Sequence, residues 1–296
     1  MPSPHAKRPS TGRDSGPRVI ESPAELRELS RTWHRAGEVI GLVPTMGALH
    51  AGHRSLIDRA RAENSKVVVS VFVNPLQFGP NEDLARYPRP LERDLAMLRE
   101  SGVDVVYMPA AAVMYPSGAT TRVNVGGVSA GLEGATRPTH FEGVATVVAK
   151  LLWASEADRA YFGQKDAQQV AVVSRLAADL DSGVEIRVCP TVREADGLAV
   201  SSRNAYLDPA ERQAAVSLSR ALRMAAHAYG AGERDHDRLR AVLEAELERE
   251  PLVTVDYAQL VNPETFTAPG TLAVLAVRIG KTRLIDNHDV SKPPPG

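Results

Sequence analysis

The chain has 296 residues, with 35 basic and 36 acidic side chains and a formal net charge of −1. This length predicts about two domains with a substantial core, and the even charge balance argues against a broad surface for nucleic acid or anionic lipid. The single cysteine, Cys189, excludes an intrachain disulfide and a multi-cysteine zinc site. No apolar run reaches the ~18 residues that span a bilayer, and residues 1–18 lack the apolar core of a signal peptide. We therefore expect a soluble, cytoplasmic protein.

Short apolar runs alternate with longer amphipathic segments over the first two thirds of the chain. Strands are predicted at residues 39–43, 67–73, 103–108, 159–162 and 184–188, and helices at 53–63, 91–101, 143–155 and 167–180. This alternation is typical of a parallel sheet with helices on both faces. We expect a Rossmann-like α/β domain over residues 18–192.

The pattern changes after about residue 204. Asp208 and Pro209 form an N-cap and first-turn pair that predicts the start of a long helix ending near Tyr229. The remaining predicted elements are a helix over 235–248 and strands over 254–261 and 271–279, the second continuing towards Ile285. We expect a smaller α+β domain over residues 193–290. The terminal segments, 1–17 and 291–296, lack hydrophobic periodicity and are predicted to be disordered tails.

The segment PTMGALHAGHRSL, residues 44–56, lies where a predicted strand ends and a helix begins. Ligands of parallel α/β sheets bind at this edge, and free N–H groups at a helix start favour phosphate. Gly47 and Gly52 allow a phosphate to approach the backbone. His50 and His53 are three residues apart, so both can face one ligand and donate hydrogen bonds as imidazolium groups. A zinc site would need a third ligand, and the sequence has no HExxH motif or cysteine cluster.

The segment YFGQKDAQQ, residues 161–169, also joins a strand end to a helix. Lys165 is a compact cation suited to a phosphate oxygen, and Asp166 suits a helix cap. Either Gln168 or Gln169 can point into a pocket and bind a carboxylate or hydroxyl. Read alone, this segment is more typical of a capped helix with a solvated glutamine pair.

The segment TVREADGLAVSSRNAYL, residues 191–207, lies at the predicted domain junction. Its Ser201 and Ser202 hydroxyls and the planar Arg203 guanidinium form a set suited to phosphate. Read alone, the segment equally fits a polar linker.

Together these segments resemble the pantoate–β-alanine ligase family, whose members are also called pantothenate synthetases. The resemblance runs from about residue 20 to 287 and rests on five blocks in the family's order: PTMGALHxGH, FVNPLQFGPNEDLARYPR, RPTHFEGV, FGxKDxQQ and READGLAVSSRNxYL. One HxGH motif alone would indicate only the wider nucleotidyltransferase superfamily. The five blocks in order are specific to the family.

The resemblance implies an enzyme that condenses D-pantoate with β-alanine in two steps. Pantoate and ATP would form pantoyl adenylate and pyrophosphate, and β-alanine would then displace AMP. The implied ligands are ATP and Mg²⁺, without nucleic acid or membrane partners, and the implied assembly is a homodimer.

The resemblance also implies roles for individual residues. The ATP site would contain Met46, Gly47, Ala48, Leu49, His50, Ala51, Gly52, His53, Gly163, Gln164, Lys165, Asp166, Val192, Val200, Ser201, Ser202 and Arg203. The catalytic residues would be His53 as proton donor, with His50, Lys165, Ser202 and Arg203 on the phosphates. Gln77 and Gln169 would bind pantoate, Gln77 also β-alanine, with Asn74 supporting the pocket. Asp94 matches a position associated with magnesium, and Arg137 and His140 match a loop near the site. We expect His50, His53, Lys165 and Arg203 to form a cationic pocket, joined by Arg137.

Two positions depart from the family pattern, since many members have Glu at the positions of Ala51 and Gln164. Both changes are expected to affect only the local charge. Two alternatives stay open: a nucleotidyltransferase with a phosphate acceptor, which would need additional Lys or Arg around the acceptor pocket, and an inactive ATP-binding regulator. The charge balance and the missing anticodon-binding domain argue against a tRNA-binding synthetase fragment.

Overall fold

The structure, a computed structural model, describes residues 16–80, 82 and 84–295. In chain order the first part contains β1 (Arg18–Ile20), α1 (Pro23–Arg35), β2 (Ile40–Thr45), α2 (Ala51–Glu63), β3 (Lys66–Val71), α3 (Leu91–Glu100), β4 (Val105–Tyr107), α4 (Ala111–Met114), α5 (Glu133–Thr136), α6 (His140–Ser155), β5 (Arg159–Gly163), α7 (Ala167–Asp179) and β6 (Glu185–Cys189). The second part contains α8 (Pro209–Ala214), α9 (Val216–Gly230), α10 (His236–Glu248), β7 (Val253–Val261), β8 (Leu272–Ile279) and β9 (Thr282–Asp289). Short 3-10 turns lie at Pro75–Gln77, Leu84–Arg86, Gln164–Asp166 and Ser202–Tyr206. Of the predicted N-terminal tail, residues 1–15 lie outside the described ranges.

The six strands of the first part form one parallel sheet in the order β1-β4-β3-β2-β5-β6. Successive side chains of a strand point to opposite faces, and here both faces are buried. Leu42 and Val68 belong to an apolar cluster with helices α1, α6 and α7, whereas Val43 and Val69 belong to a second cluster with α2 and α3. The predicted parallel sheet with helices on both faces is confirmed.

The C-terminal sheet differs from the prediction in its last strand. The predicted strand does not continue towards Ile285, because the chain reverses at Gly280, whose φ of +55° is the left-handed conformation that glycine adopts readily. The chain returns as β9, so the sheet is antiparallel with the order β7-β8-β9. The single long helix predicted to end near Tyr229 is two helices, α8 and α9, which meet at Ala215.

The C-terminal sheet packs in two directions. Leu275 joins Leu222 of α9 and Leu243 of α10 in one apolar cluster. Val274 and Leu272 join the large cluster on one face of the parallel sheet. One apolar cluster therefore spans both parts of the chain, and the domain boundary at residue 192 stays a prediction. In the described ranges, helices that are both long and apolar enough to cross a bilayer are absent.

Candidate active site

A cleft of about 830 Å³ lies between the carboxyl ends of β2 and β5 and the C-terminal sheet. Its volume is in the range of ligand pockets. The predicted site residues that line it are Met46, His50, Gly52, His53, Gln77, Gly163, Lys165, Asp166, Gln169, Val192, Val200, Ser201, Ser202 and Arg203. The predicted site residues outside its lining are Gly47, Ala48, Leu49, Ala51, Asn74, Asp94 and Gln164.

The turn after β2 uses its own backbone donors. The N–H groups of Ala48 and Leu49 each donate to the Asp94 carboxylate at 2.8 Å. The Gly47 N–H donates to the Thr45 hydroxyl at 3.2 Å. Protein oxygens accept the hydrogen bonds of these three amides, which precede the start of α2, where N–H groups were expected to bind phosphate. What the turn presents to the cleft is side chains.

Asp94 acts as the anchor of this turn. Its side chain lies on α3, is 1% exposed, and accepts one backbone hydrogen bond on each carboxylate oxygen. Charge-assisted hydrogen bonds of this kind are among the strong ones in proteins. Groups of three or more His, Cys, Asp or Glu side chains that could hold a metal ion do not occur among the described residues. Asp94 therefore has a structural role in this turn, and the magnesium role expected for it stays a prediction.

The two histidines are held by the start of α2. His50 caps the helix, and its Nδ1 accepts from the Gly52 N–H at 3.2 Å. The His53 Nδ1 accepts from the His50 N–H at 3.4 Å, and the two ring centroids are 4.1 Å apart. A neutral imidazole that accepts on one nitrogen carries its proton on the other. The hydrogen-bond pattern therefore assigns the Nε2–H tautomer to both rings.

Both histidines are neutral at physiological pH. Burial, followed by the charge of Lys165, lowers the pKa of His50 to about 4. Burial, followed by the charge of His50, lowers the pKa of His53 to about 3. Burial disfavours the charged form, which argues against the imidazolium groups expected from the sequence. The pair offers neutral N–H donors, while Lys165, 3.7 Å from Asp166, supplies formal charge.

A second wall of the cleft, formed by Gln77, Arg137 and His140, faces this turn. Together with Asn74, which lies behind Gln77, we call it the glutamine wall. The Gln77 amide accepts from Asn74 at 3.0 Å and donates to the sulfur of Met46 at 3.0 Å. Asn74 is 1% exposed and lies behind Gln77, held by the Tyr115 hydroxyl at 2.8 Å. The Gln77 side chain thus has a fixed orientation between the two walls.

The backbone of Gln77 is held as firmly as its side chain. Its carbonyl accepts from His140 Nδ1 at 2.9 Å and from Arg137 at 3.2 Å. Arg137 also contacts both carboxylate oxygens of Glu82, at 2.6 and 2.7 Å. Arg137 lines the cleft as expected, but its two contacts with Glu82 pair its charge, so it adds less positive charge to the pocket than expected. Burial, followed by the charge of Arg137, lowers the pKa of His140 to about 4.

The two glutamines of the second segment have different environments. Gln168 is 5% exposed, donates to the carbonyls of Val128 and Gly131, and accepts from the Glu133 N–H. It holds the chain before α5 in place. Both glutamines line the cleft, but the Gln168 amide is held by these three hydrogen bonds. Of the two candidates, Gln169 is the one placed to meet a ligand.

Gln164 faces the C-terminal sheet. Its amide donates to Asn287 of β9 at 3.2 Å, and Asn287 in turn donates to the carbonyls of Gln164 and Lys165. The side chain therefore fixes the Lys165 backbone against β9 and does not line the cleft, which corrects its predicted place in the ATP site. The neighbouring Asp286 holds Arg193 through contacts at 2.6 and 3.0 Å.

The contribution of the C-terminal sheet to the cleft was not predicted from the sequence. Tyr257, Arg278, Lys281 and Arg283 all line it. Arg283 binds both carboxylate oxygens of Glu133, at 2.6 and 2.7 Å, although the two residues are 150 positions apart. The basic run around Lys281 was the available signal, but nothing in the sequence pairs it with α5.

The match to a known protein family covers the same residues as the described fold, from the start of β1 to the end of β9. The profile of the family described as Pantoate-beta-alanine ligase matches residues 18–289. A pantothenate synthetase of Roseiflexus castenholzii is 54% identical over 275 residues, covering 91% of this chain and 98% of the relative. One of Koribacter versatilis is 51% identical over 275 residues, covering 91% and 94%.

Solved structures give the same result. Pantothenate synthetase from Thermus thermophilus superposes with a TM-score of 0.87 at 48% identity, covering 93% of this chain and 100% of that one. Pantoate-beta-alanine ligase from Francisella tularensis, complexed with beta-gamma ATP and beta-alanine, has a TM-score of 0.78 at 34% identity, covering 94% and 99%.

Proposed function

The chain belongs to the pantoate–β-alanine ligase family, and we propose that its cleft is where ATP drives the condensation of D-pantoate with β-alanine. The observation that carries the proposal is the convergence of three distant segments on one cavity. His50, Lys165 and Ser202 come from these segments and face the same space as Gln77. The cavity of about 830 Å³ has room for a nucleotide beside a small acid.

In the first step the pantoate carboxylate attacks the α-phosphorus of ATP, and pyrophosphate leaves with the electrons of the broken P–O bond. Negative charge grows on the leaving group. Lys165 and Arg203 offer positive charge to it, and the neutral Nε2–H groups of the histidines offer hydrogen bonds. Donors fixed before the reaction stabilise such charge without reorganisation, and the Nδ1 contacts of His50 and His53 fix theirs.

In the second step the amine of β-alanine attacks the acyl carbon of pantoyl adenylate. The amide bond forms, the acyl–phosphate bond breaks, and AMP leaves. Gln77 and Gln169 are proposed to hold the pantoyl group through its hydroxyl and carboxyl oxygens. Water must be kept from the reactive anhydride, and the Val200–Arg203 stretch and the C-terminal sheet are the parts of the lining placed to exclude it.

We propose that Mg²⁺ binds together with the ATP phosphates. Magnesium keeps several waters and takes one or two carboxylates plus substrate phosphates, so a protein cluster is not required. The Asp166 carboxylate lines the cleft beside Lys165 and suits this role. When bound, the ion neutralises phosphate charge.

A phosphate-accepting nucleotidyltransferase is the weaker alternative. A phosphate acceptor would need cations on the glutamine wall, but Arg137 is neutralised by Glu82 and the nearby Arg283 by Glu133. The neutral amide of Gln77 suits a hydroxy acid better.

A single-turnover experiment tests the proposed function. ATP and D-pantoate without β-alanine should release one equivalent of pyrophosphate per site while AMP stays bound as the adenylate. Addition of β-alanine should then release AMP and pantothenate together. Pyrophosphate release that requires β-alanine, or that proceeds without pantoate, would contradict the proposal.

The homodimer and the cytoplasmic location, which the family resemblance suggests, stay predictions. Light scattering coupled to size exclusion tests the first, with a mass of about twice the 31.8 kDa chain expected.

A further inference from the structure

A chain of ion-paired side chains connects the C-terminal sheet with the glutamine wall. Arg283 of β9 binds both oxygens of Glu133, and Glu133 Oε2 lies 4.0 Å from Arg137 Nη1. Arg137 binds Glu82 and donates to the Gln77 carbonyl. We call these four residues, Glu82, Arg137, Glu133 and Arg283, the Glu133 ion-pair chain.

The Glu133 ion-pair chain is shielded from water. The exposed fractions of its central side chains are 9% for Glu133, 15% for Arg283 and 16% for Arg137. Surface ion pairs are weak, whereas buried pairs with several directed hydrogen bonds fix geometry because breaking them leaves an unpaired charge. The Tyr257 hydroxyl adds a further hydrogen bond to Glu133 at 2.8 Å.

Glu133 is ionised at neutral pH. Burial alone would raise its pKa, but the hydrogen bonds and charge of Arg283, with smaller contributions from Tyr257 and Arg137, hold the pKa below its usual range. The side chain is surrounded by donors on both oxygens, so neither oxygen is available as a general acid or base.

We infer that Glu133 is a positioning residue for the acid substrate, because it connects the seating of the C-terminal sheet to the orientation of Gln77. The Gln77 carbonyl is fixed by two donors, and one of them, Arg137, is placed between the carboxylates of Glu82 and Glu133. Without the charge of Glu133, Arg283 loses its ion pair with α5. Arg137 then has a carboxylate only on its Glu82 side. The inference rests on the proposed binding of pantoate by Gln77.

The test is Glu133→Gln in the full-length protein, assayed by pantoate-dependent exchange of pyrophosphate into ATP. This change keeps the shape of the side chain and removes its charge. The KM for pantoate should rise on the order of tenfold, while the KM for ATP stays within about twofold.

The matched control is Glu246→Gln. Glu246 is 5% exposed and binds Arg220 at 2.8 Å and Arg249 at 2.9 Å, so it is an equally buried glutamate between two arginines. It lies on α10, outside the lining of the cleft. A general loss of stability would affect both variants, but only Glu133→Gln should change the KM for pantoate.

Tyr257→Phe provides a milder second variant should Glu133→Gln fail to fold. It removes one hydrogen bond to Glu133 and should raise the KM for pantoate by about threefold. An unchanged KM for pantoate in folded variants, or an equal rise in both KM values, would overturn the inference. Gln77→Ala separates the two claims: if it leaves the KM for pantoate unchanged, the proposed role of Gln77 fails, and if it alone raises that KM, only the inference about Glu133 fails.

Discussion

The two walls of the cleft are held together by different interactions. In the histidine wall, which we define as residues 46–53, hydrogen bonds from backbone N–H groups to Asp94, Thr45 and the histidine rings fix the turn. In the glutamine wall, ion pairs between distant elements fix the backbone of Gln77. The histidine wall is therefore fixed by hydrogen bonds within its turn and to Asp94 of α3, and the glutamine wall depends on the seating of the C-terminal sheet.

This difference matches what each wall has to bind. The histidine wall faces the proposed phosphates with neutral N–H donors, which require no counter-ion, and Lys165 adds a charge beside them. In the glutamine wall the charge of Arg137 is paired with Glu82, so the wall presents a neutral amide, that of Gln77, to the proposed hydroxy acid. An ATP-dependent ligase of a small acid needs both kinds of surface in one cleft.

The largest effect should come from removing the charge beside the histidine wall. Lys165→Ala should slow pantoate-dependent pyrophosphate release by about 10²–10³-fold, because a preorganised contact to the leaving group is lost. Lys66→Ala is the control, since Lys66 lies at the other end of the sheet and pairs with Glu38. Equal rates of pyrophosphate release in wild type and Lys165→Ala, measured by rapid quench, would show that Lys165 does not contact the phosphates.

The next largest effect should come from the anchor of the histidine wall. Asp94→Asn places an NH₂ group against a backbone N–H and should lower the free energy of unfolding by about 2–3 kcal/mol, measured by urea denaturation. Asp58→Asn, an exposed change on α2, is the control. A variant with full stability but a raised requirement for Mg²⁺ would instead indicate that Asp94 is a metal ligand.

The neutral histidines should make the protein acid-sensitive. Their folded pKa values of about 4 and 3 lie below the unfolded value of about 6.5. Burial of the neutral rings therefore carries no protonation cost above pH 6.5. The free energy of unfolding decreases as the pH falls from 6.5 towards the folded pKa values. Each histidine should contribute a loss of about 2 kcal/mol between about pH 7 and 5. Between these two pH values, the free energy of unfolding should decrease less for His53→Gln than for the wild type. An equal decrease would show that His53 does not titrate as described.

The smallest effect concerns backbone conformation in the histidine wall. Ala48 has a φ of +51°, a left-handed conformation that costs a residue with a Cβ about 1–2 kcal/mol. Ala48→Gly should raise the free energy of unfolding by up to about 1 kcal/mol, because glycine's greater freedom in the unfolded chain offsets part of the relief. Thermal unfolding measures the change, and a clear decrease in stability would show that Ala48 is unstrained.

The histidine wall was the more predictable of the two from sequence. The strand, turn and helix around residues 44–56 follow from local hydrophobic patterning, and so does the position of Lys165 at a strand end. The lowered pKa values of His50 and His53 could not be predicted, because they depend on burial that no local pattern shows. The pairing of Glu133 with Arg283 could not be predicted, since it joins residues 150 positions apart. The strand β9 was missed because one glycine turn separates it from β8.

The neutral histidine pair beside Lys165 is proposed to stabilise the leaving pyrophosphate. The most direct test is the rate of single-turnover pyrophosphate release from ATP and D-pantoate between about pH 5.5 and 8. With neutral donors, the rate constant should show no decline with rising pH across this range. A rate that falls about tenfold for each unit of rising pH would show that a protonated histidine is required, and it would contradict the claim.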